Sequence, residues 1–321
     1  MFKFYSAKMS QYLLLIVFTI TLNFFLPRLM PGSPLRFLGG EDVILMTTEE
    51  KELILEKHGL DKPVHEQYFM YIRSLLKGDI GYSYQQKMPV MDIIKSRLPW
   101  TLILTGLNLI ITTILGITLG TIAAWKRGSK QDIALINVFA FLKSMPSFWI
   151  GMILVSIFGA QLGVLPIYGA YTMWGNYTGL ARIIDIAKHL VLPVTTLVFL
   201  SISSIFLTMR YSMIDVLGED YIFMAKVKGL DEGTIKYKHA MRNALIPVVT
   251  IVMLNLGYMV GGATVVETVF SYPGIGRMMF EAVINRDYPV LQAGFLIITI
   301  SVILANFIAD MIYPLFDPKV V

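Results

Sequence analysis

Few residues in this chain are typed and spaced for bond-making chemistry. The four histidines, His58, His65, His189 and His239, are scattered, and none falls in an HExxH arrangement, so a zinc site has no ligand set. There is no cysteine, which removes disulfides and thiolate chemistry. No Gly-x-x-x-x-Gly-Lys-[Ser/Thr] run is present, so nothing here cradles nucleotide phosphates. What the chain does carry is charge and polarity placed where they are costly. Lys143, beside Ser144, Pro146 and Ser147, sits within an apolar run and either lines a pathway or snorkels to the interface. Asp310, about one turn before Tyr313-Pro314, reads as a structural group near a helix end. Asn255, Met259 and Gly262 recur at i, i+4 and i+7, which suits close helix packing or a cavity wall, with Asn255 on the cavity side. Glu267, at the outer end of an apolar run, precedes "TVFSYPGIG" and reads as functional, whereas Arg286 and Asp287 read as satisfying one another. The densest charge is "AKVKGLDEGTIKYKHAMRNALIP", residues 225–247, which lies between two long apolar runs.

Those runs decide the class of molecule. Hydrophobic residues make up 55% of the 321 and charged residues only 15%, against about 25% charged in soluble domains. Mean hydropathy is +0.66. Several stretches reach about 20 nearly uncharged residues, enough to cross a hydrocarbon core. The expected fold is therefore all-α and membrane-integral. Six spans are read at about 10–29, 100–124, 133–160, 189–209, 246–266 and 290–314. The first run lacks an A-x-A-like cleavage site after Phe24-Phe25-Leu26-Pro27-Arg28 and reads as a retained signal anchor. With the N-terminus inside, the inner segments hold twelve Lys and Arg and the two short outer loops hold four (Arg182, Lys188, Arg277, Arg286). That asymmetry places both termini in the cytoplasm. The net charge of +5 is explained by this orientation signal without nucleic acid as a partner.

Residues 30–99 form an outer insert with structure of its own. Thr47-Thr48-Glu49-Glu50 is a capping box opening a short helix that stops at Gly59. Pro63 opens a second helix, whose stripe of Tyr68, Tyr71, Ile72 and Leu75 ends at Gly78. Val90, Ile93, Ile94 and Leu98 mark a third, leading through Pro99-Trp100 into span two. The result is a small helical cap.

The inner insert, residues 210–245, is more ordered than a loop that merely sets topology. Span four is expected to continue as a helix through Glu219-Asp220-Tyr221 to Lys228, where Gly229 turns the chain left-handed. Asp231 is the N-cap of the next helix, with Glu232 in its first turn. Tyr237, Ala240, Met241, Ala244 and Leu245 give that helix an apolar face, and Pro247 follows. A helix–turn–helix bracket with a tip at 230–235 is expected at the membrane surface. Its lysines suit anionic lipid or a protein partner, and composition does not separate the two.

Beyond these readings, Ala225-x-x-x-Gly229 followed by "HAMRNALIPVV" resembles the cytoplasmic signature loop of ABC importer permeases, in the variant of the oligopeptide, dipeptide and nickel systems. "MPGSP" (30–34), "GLDKPVHEQYFMYIRSLLKGDIGYSY" (59–84), "MPSFWIGMIL" (145–154), "ETVFSYPGIGRMMFEAVINRDYPVLQAG" (267–294) and "YPLFDPK" (313–319) resemble the same family in the same order. The likeness covers essentially the whole chain and is to the first of the two permease subunits. Phe223-Met224 stand where the wider superfamily has Glu-Ala, and Lys319 where a terminal Arg is typical.

The resemblance implies a type I importer permease fold over one domain, 1–321, with its core at about 96–314. It implies a non-enzymatic subunit in a bacterial or archaeal cytoplasmic membrane, importing peptides. Nickel chelates, glutathione or opine metallophores are alternatives within the family. It also implies a homologous second permease, an extracytoplasmic solute-binding protein and two ATPase subunits. Those ATPases would bind the ATP and magnesium that this chain does not. Ala225, Lys226, Lys228, Gly229, Leu230, Asp231, Ile235 and Arg242 would form the ATPase-coupling element. Lys143, Ser147, Asn255, Met259 and Glu267 would border the pathway or gate. A self-sufficient channel or secondary transporter is the rival class. An intramembrane protease finds no paired-aspartate or HExxH motif.

Overall fold

The computed structural model describes residues 2–29, 46–57, 61–83, 85–261, 263–285 and 287–316. The MPGSP segment, the stop at Gly59, Gly262, Arg286 and Lys319 lie outside them. These residues are helical nearly throughout. Among them, five helices are long and apolar enough to cross a membrane, and a bent pair makes a sixth if counted as one span.

Helix α1 (Phe2–Leu29) is the first of these. Short α2 (Thr48–Lys57) opens with the expected reciprocal cap. The Thr47 backbone N–H donates to Glu50 at 2.8 Å, and the Glu50 N–H donates to the Thr47 hydroxyl at 3.3 Å. The Thr47 backbone donor holds the Glu50 carboxyl below its ordinary range. Helix α3 (Val64–Leu76) turns its aromatic stripe onto α1. The Phe24 ring packs edge-on to Tyr68 and against Tyr71, and Thr21 and Tyr68 share a 2.7 Å hydrogen bond. A two-residue hairpin, β1 (Tyr82–Ser83) with β2 (Met88–Pro89), then leads directly into α4 (Val90–Trp125). The expected third cap helix is thus not separate. Pro99 removes one donor but lies within α4, so the amphipathic turn and span two form one rod.

Helix α5 (Lys130–Ser144) and helix α6 (Ser147–Leu154), which continues as a π-helical turn over Val155–Gln161, replace the expected straight third span. The two meet at 101°. The cause is Pro146, which confines Met145 to an extended backbone (φ −79°, ψ 139°) and breaks the helix there. Helix α7 (Gly179–Leu217) is the most enclosed span, 56% buried over its apolar window where α4 is 22%. Two glycines let α4 approach it closely. A Cβ on Gly116 would lie 2.7 Å from Ile205 Cγ2, and one on Gly120 would lie 2.7 Å from the Phe206 carbonyl oxygen.

Helix α8 (Asp220–Val227) follows a break at Gly218–Glu219, so span four does not run unbroken to Lys228 as its sequence suggests. A π-helical turn, Thr234–Ala240, feeds α9 (Met241–Tyr258). A 3-10 turn at Met259–Gly261 ends that span before the expected residue 266. Short α10 (Thr264–Val269) and α11 (Ile275–Ile284) fold back before α12 (Tyr288–Phe316).

Three apolar clusters hold these elements. One, at the α8 end, joins Ala124, Met209, Met213, Ile222, Ala225, Ile235, Ala240, Ala244 and Val248. Another, at the opposite end, joins Val90, Ile93 and Ile94 to Ile275, Met278, Met279 and Val290. The third lies between α4 and α7, around Leu104, Val198, Ile202 and Phe206.

Candidate functional site

The bracket is built from local rules. Helix α8 ends in a six-residue cap in which the Gly229 N–H donates to the Lys226 carbonyl (2.9 Å) and the Leu230 N–H to the Ala225 carbonyl (3.3 Å). Gly229 stands at φ +74°, in the left-handed region that glycine enters without cost. Two residues on, Asp231 caps the next helix by accepting from the Thr234 N–H at 2.8 Å. Hydrogen bonds to Thr234 hold the Asp231 carboxyl below its ordinary range, so it is charged at neutral pH.

Packing fixes which face turns outward. Ile222 and Ala225 face the bundle, and Ala225 lets α8 lie close against the Ile235–Ala240–Ala244 row. The spacing from Ile235 to Ala240 is five, matching the wider π-helical turn, and returns to four at Ala244 and Val248. That shift puts Ile235 inside and leaves Tyr237 54% exposed, where a uniform helix would have buried Tyr237. Two contacts brace the bracket: the Asn243 amide donates to the Tyr221 hydroxyl at 2.7 Å, and the Lys236 ammonium sits between the Tyr237 and Trp125 rings. Phe223 and Val227 share the outward face of α8 at i and i+4 and are exposed, and exposed Leu230 follows the Gly229 turn beyond the helix end, with Lys226 and Lys228 beside them. Arg242 is also exposed. Of the eight expected coupling residues, Ala225 and Ile235 therefore shape the bracket from within, while Lys226, Lys228, Gly229, Leu230, Asp231 and Arg242 lie on its surface.

The expected pathway residues are not gathered in one place. Lys143 is exposed in the last turn of α5, and half-buried Ser147 opens α6 across the bend. Asn255 and Met259 are half-buried, and the Met259 carbonyl accepts from the Thr105 hydroxyl at 3.3 Å. Glu267 is fully enclosed. Its carboxylate accepts from the Thr101 hydroxyl (2.9 Å) on α4 and from the Arg277 N–H (2.9 Å) in the first turn of α11. Thr101 in turn accepts from the Ile275 N–H at 2.7 Å. Gly274 and Gly276 are needed here, since a Cβ on either would lie within 3 Å of the Glu267 carboxylate. Glu267 thus pins the α10–α11 fold-back to α4 and touches no open surface. Asp287 is likewise committed, to the Ser83 hydroxyl.

Two charged contacts escaped the sequence reading. Arg210 on α7 makes a bidentate bond to Asp132 on α5, at 2.6 and 2.8 Å, with both side chains buried. Asp310 accepts from Lys8 (2.6 Å) and from the Tyr12 hydroxyl (2.7 Å), which ties α12 to α1. Nothing local in the sequence marks Arg210 as the partner of Asp132, 78 positions away.

Residues 116–321 match the model for binding-protein-dependent transport system inner membrane components, and residues 1–105 match the model for the N-terminal part of such membrane components. The chain is 34% identical over 319 residues to the dipeptide transport system permease protein DppB of Escherichia coli K12, covering 93% of each. It is 36% identical over 313 residues to the di/tripeptide permease DppB of Pseudomonas aeruginosa UCBPP-PA14, again 93% of each. With the glutathione permease GsiC of Escherichia coli O6:H1 it shares 36% over 299 residues, 93% of this chain and 92% of that one.

Proposed function

The chain belongs to the binding-protein-dependent transport system inner membrane components, and from that premise we propose that it works as the peptide-translocating permease subunit of an ABC importer, with α8 as the element through which ATP-driven motion enters. Relatives named for dipeptides, di/tripeptides and glutathione, itself a tripeptide, support short peptides as cargo. The remaining subunits are a homologous second permease, a solute-binding protein on the outer side and two ATPases, which bind the ATP and magnesium. Both termini face the cytoplasm, as the basic residues on α8 and at the adjoining helix ends favour.

The observation that carries this reading is α8 itself. It is a two-turn helix braced from behind by Ile222, Ala225 and the Asn243–Tyr221 bond, yet it turns Phe223 and Val227 to open space, with exposed Leu230 just past its end. An apolar face on a charged, ordered bracket suits a protein groove better than water. Its brace to α9 and its short link to α7 make it a lever on both spans. ATP does work through that lever only if it binds the inward- and outward-facing states with different affinity. In reconstituted importer, Val227→Asp with Leu230→Asp should abolish peptide uptake while the chain still inserts and pairs with its second permease. Undiminished uptake would rule out α8 as the docking element.

A further inference from the structure

The path that peptides follow through the membrane is not marked by charge, and the exposed surface of the spans is mostly hydrocarbon. On α4 the exposed residues in mid-span include Ile103, Leu107, Ile110 and Ile114, as lipid contact requires. Helix α7 is the exception. From Leu192 to Arg210 its only exposed residue is Ser204. Half-buried Ser201 and Thr208 flank it at i−3 and i+4, and exposed Tyr211 and Asp215 continue the row toward the bracket. The most enclosed span therefore opens along a polar line, the reverse of what contact with lipid favours.

Asn108 of α4 joins this line. It lies eight residues past Trp100, about 12 Å along the helix, well inside the apolar span. Its carboxamide oxygen is 3.0 Å from the Thr112 hydroxyl and 3.1 Å from the Ser201 hydroxyl. Ser201 and Thr112 are 3.3 Å apart, and Ser201 also donates to the Leu197 carbonyl at 2.7 Å. One end of the carboxamide is thus oriented by two helices, and Gly116 and Gly120 hold those helices together on the next two turns. The other end meets no hydrogen-bonding group among the described residues. A polar group left unpaired at this depth costs free energy unless water or a solute satisfies it.

We propose that Asn108, Ser201, Ser204 and Thr208 form the solute-facing wall of the translocation path, and that the Asn108 carboxamide takes the backbone amide groups of the cargo. With the oxygen engaged by Thr112 and Ser201, the amino end of the carboxamide is the side left to donate to backbone carbonyls of a peptide. Contact with backbone alone also suits a permease that passes peptides of varied side chain. The amide-binding part rests on the peptide reading above; the wet wall does not.

Because this chain has no cysteine, each substitution gives it a single thiol, read on its own band after the subunits are separated. In the complete importer in proteoliposomes, Ser204→Cys and Thr208→Cys should react with a charged, membrane-impermeant methanethiosulfonate about tenfold faster than lipid-facing Ile110→Cys, because only the hydrated thiol ionises. Equal rates would overturn the wall. With dialanine and trialanine as probes, Asn108→Leu should lower uptake about three- to tenfold, the worth of one hydrogen bond. It should leave the Ser204→Cys reaction rate unchanged. Unaltered uptake by that variant would overturn the amide contact even with a reactive wall. Failure of the unsubstituted importer to take up either probe would count against peptide cargo, and the thiol rates would still decide the wall.

Discussion

At the scale of single residues, Gly229 and Asp231 set the bracket's shape from opposite sides of one turn. Apart from its chain neighbours, no atom of the described residues lies within 4 Å of a Cβ built on Gly229, so within this chain a substitution there acts through backbone strain. Gly229→Val should cost about 1–2 kcal/mol locally and reduce uptake, whereas Gly229→Asn, which tolerates the left-handed region, should retain most of it. Uptake by the reconstituted importer checks both. The Asp231 cap carries a pH dependence with a definite sign. Its carboxyl is held low in the folded state, so its contribution is present above the ordinary carboxylate range and is lost as pH falls through the folded value. Carbon-detected NMR titration of the labelled side chain should show a midpoint below that of a free aspartate, and Thr234→Pro, which removes the donor, should abolish the shift. Buried Glu267 behaves differently. Glu267→Ala would strand the Thr101 hydroxyl and the Arg277 N–H, costing about 1–3 kcal/mol for each. A lowered melting temperature in detergent, with the bracket intact, is the expected result.

At the scale of elements, the Asp132–Arg210 pair fixes the bent third span to α7 near the bracket. Asp132→Asn should destabilise the fold by about 3 kcal/mol, because it leaves a buried guanidinium uncompensated. The double change Asp132→Leu with Arg210→Met should recover much of that loss, and thermal unfolding of the three proteins decides it. Capping devices such as Thr47–Glu50 and the Gly229 stop were legible in the sequence because their partners lie within a few residues. The kink at Pro146 was present in the sequence too, but the apolar run across it satisfies a span by length alone and hides the bend. The π-helical turn at 234–240 was not legible, since only tertiary packing of Ile235 selects it over a uniform helix. Nor were Glu267–Thr101 or Asn108–Ser201, which join residues 166 and 93 positions apart. For the candidate site, then, the turn and its caps could be read directly, while the choice of inward and outward side chains needed the fold.

At the scale of the whole molecule, α4 and α7 form a tightly packed pair that links two ends with different tasks. At one end Glu267 and Thr101 fasten the α10–α11 fold-back to α4; at the other, Ile222 and Ala225 fasten α8 beneath α7 and α9. On the proposed reading, motion imposed on α8 would pass into α7 across the short Gly218–Glu219 link and into α9 through the Asn243–Tyr221 bond. No Gly-x-x-x-x-Gly-Lys-[Ser/Thr] run occurs in the sequence, and on the proposed division of labour the chain purified alone should turn over no ATP. The most direct test of this account is a photocrosslink from the bracket's tip. Leu230→Cys, labelled with a benzophenone maleimide in the assembled importer, should yield an adduct with an ATPase subunit. Adducts confined to lipid or to the second permease would contradict it.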